Sequence, residues 1–219
     1  MAIFIGSDFH LGSGMTKTYA LLDFLEAYPS DELIILGDAF EKDGDLTSSD
    51  RQVIRHLKNR RDVTYVAGNH DPVSSGFDAK IGVKAKKKHE WRMGGKNYCA
   101  MHGHQFDKWC FIFSERLVDR FFLCLIWFLK KIHFCGYEAA HWFDDFHANF
   151  AERVKKRAIR YARRHHIDVM ICAHVHRPEI YIDQGKGKTI HYYNTGDWVE
   201  HCSFIVLQEH RPAALYRAA

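Results

Sequence analysis

Asp8 and His10 stand two residues apart, directly after a short apolar run that begins at Ala2. Side chains two positions apart in a β-strand lie on the same face. A strand that ends here would present a carboxylate and an imidazole to one point in space, which is the geometry of two ligands to one metal ion. The same pair also occurs as a turn residue beside a surface histidine, so it does not identify a metal site by itself.

The same arrangement recurs along the chain, because further short apolar runs each lead into Asp, Asn or His. These are residues 33–36 before Gly37-Asp38, 63–66 before Gly68-Asn69-His70-Asp71, 98–101 before His102-Gly103-His104, 169–172 before Ala173-His174-Val175-His176, and 191–193 before Asn194-Thr195-Gly196-Asp197. Such runs are typical of buried strands. In an α/β sheet, ligands bind outside the carboxyl ends of the strands. The repetition therefore predicts that these side chains converge on one site.

The segments between these blocks must position them, and their patterns predict helices and a hairpin. Apolar residues at helical spacing predict one helix through residues 20–25 and a second with its inner face at 53–57, capped by Ser48, Ser49 or Asp50. Alternation over residues 86–93 predicts a hairpin that leads into the strand before His102. The lysine-rich run at 84–88 favours a solvated sheet edge that discourages aggregation, with anion steering as the alternative.

The region from about 107 to 165 is the least typical part of the chain. A dense aromatic and apolar stretch at 109–129 predicts a helix, and a second predicted helix, from about Asp144 to His165, is strongly basic towards its end. Two interpretations stay open. The aromatic helix is core, or it presents apolar surface to a lipid or a membrane while the basic helix meets phosphates or anionic headgroups.

Composition sets the outer bounds. With 219 residues and 47% hydrophobic content, the chain can form one sizeable core, and we predict a single domain over 1–219. A net charge of +4 does not by itself indicate nucleic-acid binding. Six cysteines without a C-x-x-C pair predict buried reduced thiols. No signal peptide and no spanning segment are recognisable, so we expect a cytoplasmic location.

Five of these blocks, in their order along the chain, together resemble the calcineurin-like metallophosphoesterases over nearly the whole chain: Asp8-x-His10, Gly37-Asp38, Gly68-Asn69-His70-Asp71, His102-Gly103-His104 and His174-x-His176. The resemblance implies an α/β fold, a four-layer α/β/β/α sandwich with a helical insert at about 107–165. It also implies two divalent metal ions, with Mn²⁺ as the first expectation and Fe or Zn²⁺ as alternatives. By that match Asp8, His10, Asp38 and His176 hold one ion, and Asp38, Asn69, His102 and His174 hold the other. Ala173 stands where the family usually has Gly.

The residue types support the same chemistry. Carboxylate, imidazole and amide ligands suit these metals, and the absence of thiolate ligands disfavours a structural zinc site. Asp38 is the expected bridge, because a carboxylate has two oxygens. Two ions ~3.5–4 Å apart can activate water and clamp the oxygens of an in-line displacement at phosphorus. Hydrolysis of a phosphate ester is the reaction that such a centre serves best.

Further residues are expected to assist the metals. His70 would polarise the phosphoryl oxygen or protonate the leaving group, with Asp71 orienting its ring. His104 and Asp197 would each orient a metal-bound histidine or cap a turn. Arg177 would contact a substrate phosphate or form a surface ion pair.

Within the superfamily the chain is most similar to the UDP-2,3-diacylglucosamine hydrolases of lipid A synthesis. The likeness lies in residues 7–11, in Leu36 to Glu41, in the insert and in His176-Arg177-Pro178. It implies UDP-2,3-diacylglucosamine as the leading substrate, cleaved to UMP and 2,3-diacylglucosamine 1-phosphate, and a peripheral contact with the inner membrane face. His70 is a departure, because those enzymes commonly carry Arg there.

Two other functions stay open. The same centre would serve a nuclease or a cyclic-nucleotide phosphodiesterase, for which a salt-dependent affinity for DNA or RNA would be the mark. A non-catalytic scaffold that binds metal and a partner is the other, although the complete ligand set counts against it. Nucleic acid is the less expected partner, and the sequence does not predict an oligomeric state.

Overall fold

The computed structural model describes residues 2–28, 31–41, 44–71, 80–107, 137–185 and 187–218, and for 137–146 it describes the backbone alone. Within these residues ten strands form two five-stranded sheets. The first sheet contains β1 (Ile3–Gly6), β2 (Glu32–Leu36), β3 (Val63–Val66), β9 (Ser203–Gln208) and β10 (Arg211–Arg217), in the order β10-β9-β1-β2-β3. The second contains β4 (His89–Met93), β5 (Lys96–Ala100), β6 (Val169–Cys172), β7 (Glu179–Asp183) and β8 (Ile190–Asn194), in the order β4-β5-β6-β8-β7.

The helices are α1 (Thr18–Ala27), α2 (Ser48–Asn59) and α3 (Tyr137–Arg164), and a short 3₁₀ helix spans His104–Phe106. Strands β1, β2 and β3 are parallel, and α1 and α2 connect them. Strands β5, β6 and β8 are also parallel. Because parallel strands end at the same edge of a sheet, the loops that carry the predicted ligands start from common edges.

Apolar side chains fill the space between the two sheets, among them Ile5, Ile34 and Ile171, which are fully buried. Helices α1 and α2 cover the outer face of the first sheet with residues such as Leu21 and Leu57. Helix α3 covers the outer face of the second sheet through the buried side chains of Val154, Ala158 and Ala162. The layers are therefore helix, sheet, sheet and helix, and the predicted α/β/β/α sandwich is confirmed.

The cap of α2 differs from the prediction. Thr47, and not Ser48, Ser49 or Asp50, is the N-cap: its hydroxyl accepts a hydrogen bond from the Asp50 N–H at 3.1 Å, and the Asp50 carboxylate accepts one from the Thr47 N–H at 2.9 Å. This reciprocal pair forms only when the acid is the third residue of the helix, which places the cap one residue earlier.

The hairpin prediction is confirmed by β4 and β5, and the basic helix by α3, which begins earlier than expected, at Tyr137. The aromatic stretch at 109–129 lies outside the described residues, so its helix and the insert bounds stay predictions. Strands β7, β9 and β10 were not predicted. Of these, β9 could have been found, because Phe204 to Leu207 is another apolar run.

Three of the six cysteines, Cys99, Cys172 and Cys202, fall in the described residues, where each is buried and free. Burial raises the pKa of the Cys99 thiol to about 12. The prediction of buried reduced thiols is confirmed for these three. None of the helices in the described part of the chain has the length and the apolar content needed to cross a bilayer.

Candidate metal centre

The predicted ligands follow five different strands and meet at the carboxyl ends of both sheets. Backbone hydrogen bonds tie the loops together: the N–H groups of Asp8 and His10 donate to the carbonyls of Gly37 and Asp38, each at 3.0 Å. In the second sheet the Ala173 N–H donates to the His102 carbonyl at 2.8 Å. The loops are thus held in register with one another before any side chain contributes.

Five of the seven predicted ligands have a backbone conformation that non-glycine residues seldom adopt. Their φ angles are 51° at Asp8, 48° at His10, 50° at Asp38, 70° at His174 and 52° at His176. A residue held in this left-handed region costs about 1 kcal/mol or more. Such strain clusters where function requires a side chain to be aimed, so its concentration here marks the site.

The first cluster of side chains consists of Asp8, His10 and His176. The Asp8 Oδ1 atom lies 3.3 Å from His176 Nε2 and 3.9 Å from His10 Nε2. The two imidazole nitrogens face each other at 3.3 Å. This triad coincides with three of the four ligands expected for the first ion.

The second cluster consists of Asp38, His102 and His174. His102 Nε2 lies 3.0 Å from Asp38 Oδ2 and 3.1 Å from the amide oxygen of Asn69. The other ring nitrogen, Nδ1, donates to the Leu36 carbonyl at 2.7 Å, which fixes the orientation of the ring. All four ligands expected for the second ion therefore lie together. Asp38 is grouped with this cluster and not with the first, so its bridging role stays a prediction.

Two glycines make the second cluster possible. A Cβ atom on Gly68 would lie 2.0 Å from Asp38 Oδ1, and one on Gly37 would lie 2.4 Å from His102 Nδ1. Because both distances are far shorter than any van der Waals contact, the Gly-Asp and Gly-Asn-His-Asp patterns need glycine for steric reasons. These glycines allow the loops after β2 and β3 to pack against the ligands.

The electrostatics of the site favour positive charge at its centre. Burial works against ionisation of Asp38, but the neighbouring His102 outweighs it and holds the pKa of that carboxyl far below its usual value. Burial likewise lowers the pKa of His102, but Asp38 outweighs it and raises this pKa to about 10. Two atoms at the centre, Asp8 Oδ1 and His174 Nε2, are buried without a hydrogen-bond partner. Buried polar atoms are normally paired, so this donor set fits divalent cations.

Glu41 is a site residue to which the sequence analysis assigned no role. Its Oε2 atom lies 3.1 Å from His10 Nδ1, and its Oε1 atom lies 3.1 Å from His70 Nδ1. Hydrogen bonds from these two rings hold the pKa of the Glu41 carboxyl well below its usual value. Glu41 thus joins the predicted ligand His10 to the predicted catalytic residue His70. Its place three residues after Asp38 could have suggested a role in the site.

Asp71 does not orient the His70 ring, which corrects the expectation. Its Oδ2 atom instead accepts hydrogen bonds from the Asp38 N–H at 2.9 Å, from the Gly68 N–H at 2.7 Å and from the Tyr65 hydroxyl. Burial is the main reason that the pKa of Asp71 is raised. Asp71 therefore holds the backbone of two ligand loops, and Glu41 is the acid beside His70.

The remaining predicted residues differ in placement. The Asp197 carboxylate accepts from the backbone N–H of Val199 and Glu200 and from His201, so it caps a turn. The ring centroid of His104 lies 5.5 Å from that of His102, and burial is the largest cause lowering the pKa of His104 to about 4. Arg177 is exposed beside His176.

Asp107 is a second acid that the sequence analysis did not assign. It is buried, and its Oδ2 atom lies 3.6 Å from His174 Nε2. That distance is slightly too long for a hydrogen bond, but it aims a carboxylate at one of the predicted ligands. The signal was weak, because Asp107 follows the short 3₁₀ helix and no apolar strand.

Comparisons with known proteins agree with this geometry. The family model described as calcineurin-like phosphoesterase matches residues 1–178. A UDP-2,3-diacylglucosamine hydrolase of Psychromonas ingrahamii is 25% identical over 233 aligned residues, covering 93% of this chain and 92% of the relative. Two solved structures share the fold. Vps29 of Entamoeba histolytica complexed with Zn²⁺ superposes with a TM-score of 0.53 at 15% identity, and the match covers 99% of this chain and 97% of that one. The E. coli phosphoesterase YfcE superposes with a TM-score of 0.52 at 16% identity, and the match covers all of both chains.

Proposed function

The chain belongs to the calcineurin-like phosphoesterase family and is a metal-dependent phosphoesterase, and on that premise we propose that it cleaves the pyrophosphate bond of a lipid-linked nucleotide sugar. The leading substrate is UDP-2,3-diacylglucosamine, with UMP and 2,3-diacylglucosamine 1-phosphate as products. The observation that carries the reaction class is the convergence of two carboxylate and imidazole clusters at the carboxyl ends of both sheets.

In this proposal Asp8, His10, Asp38 and His176 hold one divalent cation, and Asp38, Asn69, His102 and His174 hold the other. When bound, the cations supply Lewis-acid activation of water and neutralise charge on the phosphate. The chain contributes the arrangement: strained backbone aims the ligands, and the hydrogen bond from His102 Nδ1 to the Leu36 carbonyl leaves Nε2 directed at Asp38 and Asn69.

The proton chemistry is assigned to His70 and Glu41. The Glu41 carboxylate accepts from His70 Nδ1, which stabilises the tautomer with the proton on Nδ1 and the charged form of the ring. The backbone N–H of His70 donates to Asp38 Oδ1 at 2.8 Å, so the catalytic histidine is fixed to a predicted ligand. We assign to His70 Nε2 the delivery of a proton or hydrogen bond to the phosphoryl group or its leaving oxygen.

The substrate assignment has separate support. It depends on the similarity to the hydrolase of Psychromonas ingrahamii over most of both chains, and on the apolar stretch at 109–129, which would accommodate acyl chains. We also propose a cytoplasmic location, and the same stretch is the reason to propose peripheral contact with the inner membrane face. Mn²⁺ is the proposed metal, and Arg177, exposed beside His176, is a proposed phosphate contact.

The deciding experiment is incubation of the purified protein and Mn²⁺ with UDP-2,3-diacylglucosamine, followed by mass spectrometry. Release of UMP supports the substrate. Hydrolysis of a generic aryl phosphodiester without release of UMP would reject this substrate and leave the reaction class intact. The metal-free protein is the matched control for both reactions.

Nuclease activity is less well supported by the basic helix α3 than the sequence suggested. Several of its basic side chains have partners within the protein: Lys155 contacts Glu152 and Glu179, Arg157 donates to the Phe106 carbonyl, and Arg163 contacts Asp183. A side chain engaged in this way is a poor phosphate contact, because binding a phosphate would break the existing pair. The helix thus uses much of its charge to hold the second sheet.

We predict that Glu41→Gln lowers turnover by roughly 10-fold to 100-fold at saturating metal and also weakens binding of the first ion, because the Glu41 carboxylate accepts a hydrogen bond from the predicted ligand His10 as well as from His70. The amide keeps the shape of the side chain but removes the charge that stabilises the protonated His70 ring. Steady-state rates and metal analysis would be measured on the same preparation. The matched control is Glu90→Gln, because Glu90 lies in β4 and forms an exposed ion pair with Lys88. Equal losses of turnover in the two variants would contradict the role of Glu41.

Replacing Asp107 by Asn should weaken binding of the second metal ion about 10-fold to 100-fold, the usual cost of losing a partner of a metal ligand, because the substitution removes a negative charge beside Nε2 of the predicted ligand His174. Metal titration followed by calorimetry would measure this directly. Full activity at saturating metal is expected, because Asp107 is assigned to metal binding and not to the proton chemistry. An unchanged metal affinity would show that the Asp107 carboxylate, 3.6 Å from His174 Nε2, does not help to hold the ion.

A further inference from the structure

Strand β7 is an edge strand with an apolar surface. It is hydrogen-bonded to β8 and ends the second sheet. Its three central side chains, Ile180, Tyr181 and Ile182, are 48%, 41% and 48% exposed. Helix α3 packs on β6 and β8, and it reaches β7 through the Lys155 ammonium, which lies 4.5 Å from the centroid of the Tyr181 ring.

The other three sheet edges in the described part of the chain are protected against pairing. Strand β10 contains Pro212 and an irregular register after Arg211. Strand β4 is preceded by the lysines at 86–88. Strand β3 is already covered, because Lys86 exchanges backbone hydrogen bonds with Tyr65 and Ala67 at 2.9 Å. Pro, irregular register, lysine and cover are the usual means by which edges avoid association. Pro178 precedes β7 and Lys155 of α3 reaches the Tyr181 ring, but within the described residues no strand pairs with the outer backbone edge of β7.

The charges at the two ends of β7 do not protect it either. The Glu179 carboxylate accepts from Lys155 Nζ at 2.6 Å, and the Asp183 carboxylate forms an ion pair with Arg163. Each acid is therefore neutralised by the same chain. An approaching strand meets two ion pairs and an apolar centre, and not two bare negative charges.

We propose that β7 is a dimerisation edge that pairs antiparallel with β7 of a second copy of this chain. The sequence Glu-Ile-Tyr-Ile-Asp reads almost identically in both directions. A two-fold axis through Tyr181 places Ile180 opposite Ile182 of the second copy and Tyr181 opposite its counterpart, which is the self-complementarity that a symmetric interface requires. The two second sheets then join into one continuous sheet.

Light scattering coupled to size-exclusion chromatography tests the pairing. The wild-type protein should elute at about twice the 25.6 kDa mass of the chain. Ile180→Asp places an unpaired carboxylate against Ile182 of the second copy, and the dissociation constant should rise roughly 100-fold or more. Because Ile180 is half exposed in the single chain, the variant should still fold, which a native circular dichroism spectrum and a cooperative thermal transition would show. Tyr216→Asp, on the β10 edge and 51% exposed, is the matched control and should remain dimeric.

Tyr181→Cys tests the register independently. Residues directly opposite in an antiparallel pair have Cα atoms about 4.5–5.5 Å apart, which allows a disulfide. Oxidation should convert this variant to a covalent dimer, whereas Tyr216→Cys should stay uncrosslinked. A monomeric wild-type protein, a dimer that survives Ile180→Asp, or a Tyr181→Cys variant that does not crosslink would each overturn the proposal.

Discussion

Asp38→Asn should reduce turnover by roughly 10³-fold or more, which corresponds to about 4 kcal/mol of lost transition-state stabilisation. Asp38 is 2% exposed and lies 3.0 Å from His102 Nε2, so the substitution removes the negative charge at the centre of the second cluster. Metal content should fall with the rate, because a neutral amide oxygen is a weaker ligand than a carboxylate.

The Asn variant is expected to fold. The φ angle of 50° at position 38 is one that Asn adopts more readily than most residues. Its side-chain oxygen can still accept the hydrogen bond from the His70 N–H. Rates with a generic aryl phosphodiester, metal analysis and thermal unfolding would be measured together.

The matched control for this variant is Asp168→Asn, a half-buried acid that pairs with Lys188 away from the candidate centre. It should keep both metal and activity. Undiminished turnover in the Asp38→Asn protein would show that another site performs the chemistry.

His70→Gln should lower turnover by about 10²-fold to 10⁴-fold without removing metal. The assignment places His70 beside the ligands and not among them, with its ring held by Glu41 at 3.1 Å. The His70→Gln variant should therefore bind nearly as much metal as the wild type while its turnover falls.

The leaving group distinguishes the two possible roles of His70. If the ring protonates the leaving oxygen, the loss should be large for a poor leaving group such as an alkoxide and small for a nitrophenolate, which departs without a proton. If the ring polarises the phosphoryl oxygen, both substrates should lose rate equally. His56→Gln, on the exposed side of α2 beside Glu26, is the control that should change neither. A His70→Gln enzyme with wild-type rates on both substrates would contradict the assignment.

Local pattern was sufficient to predict the strands that precede the ligands. The predicted runs at 63–66 and 169–172 match β3 and β6 residue for residue. In β6 all four residues are apolar and buried, and the end of each strand is marked by the small and polar residues that follow it. Strand β7 was missed for the opposite reason. Its central residues are exposed and its ends are acidic, so it has neither the buried run nor the alternation that identifies a strand.

Side-chain partners could not be predicted in the same way. Asp71 is adjacent to His70 in sequence, but the backbone turn at Gly68 directs its carboxylate towards the Asp38 N–H, and Glu41 reaches His70 from the loop after β2. Thr47 and Asp50 show a contrasting case, since a capping box lies within one helical turn and could have been recognised from spacing, although the predicted cap fell one to three residues later.

By itself the sequence determined the order of the Asp, Asn and His blocks and the strands that precede them, because each depends on residues close together along the chain. The α/β/β/α architecture was implied by the family resemblance that these blocks carry. Only the tertiary structure decided which acids lie beside which histidines, that Glu41 and Asp107 belong near the centre, and that no described strand pairs with the outer edge of β7. Those facts depend on how separate loops and strands approach one another, and that approach is set by the packing of two sheets, which no short stretch of sequence encodes.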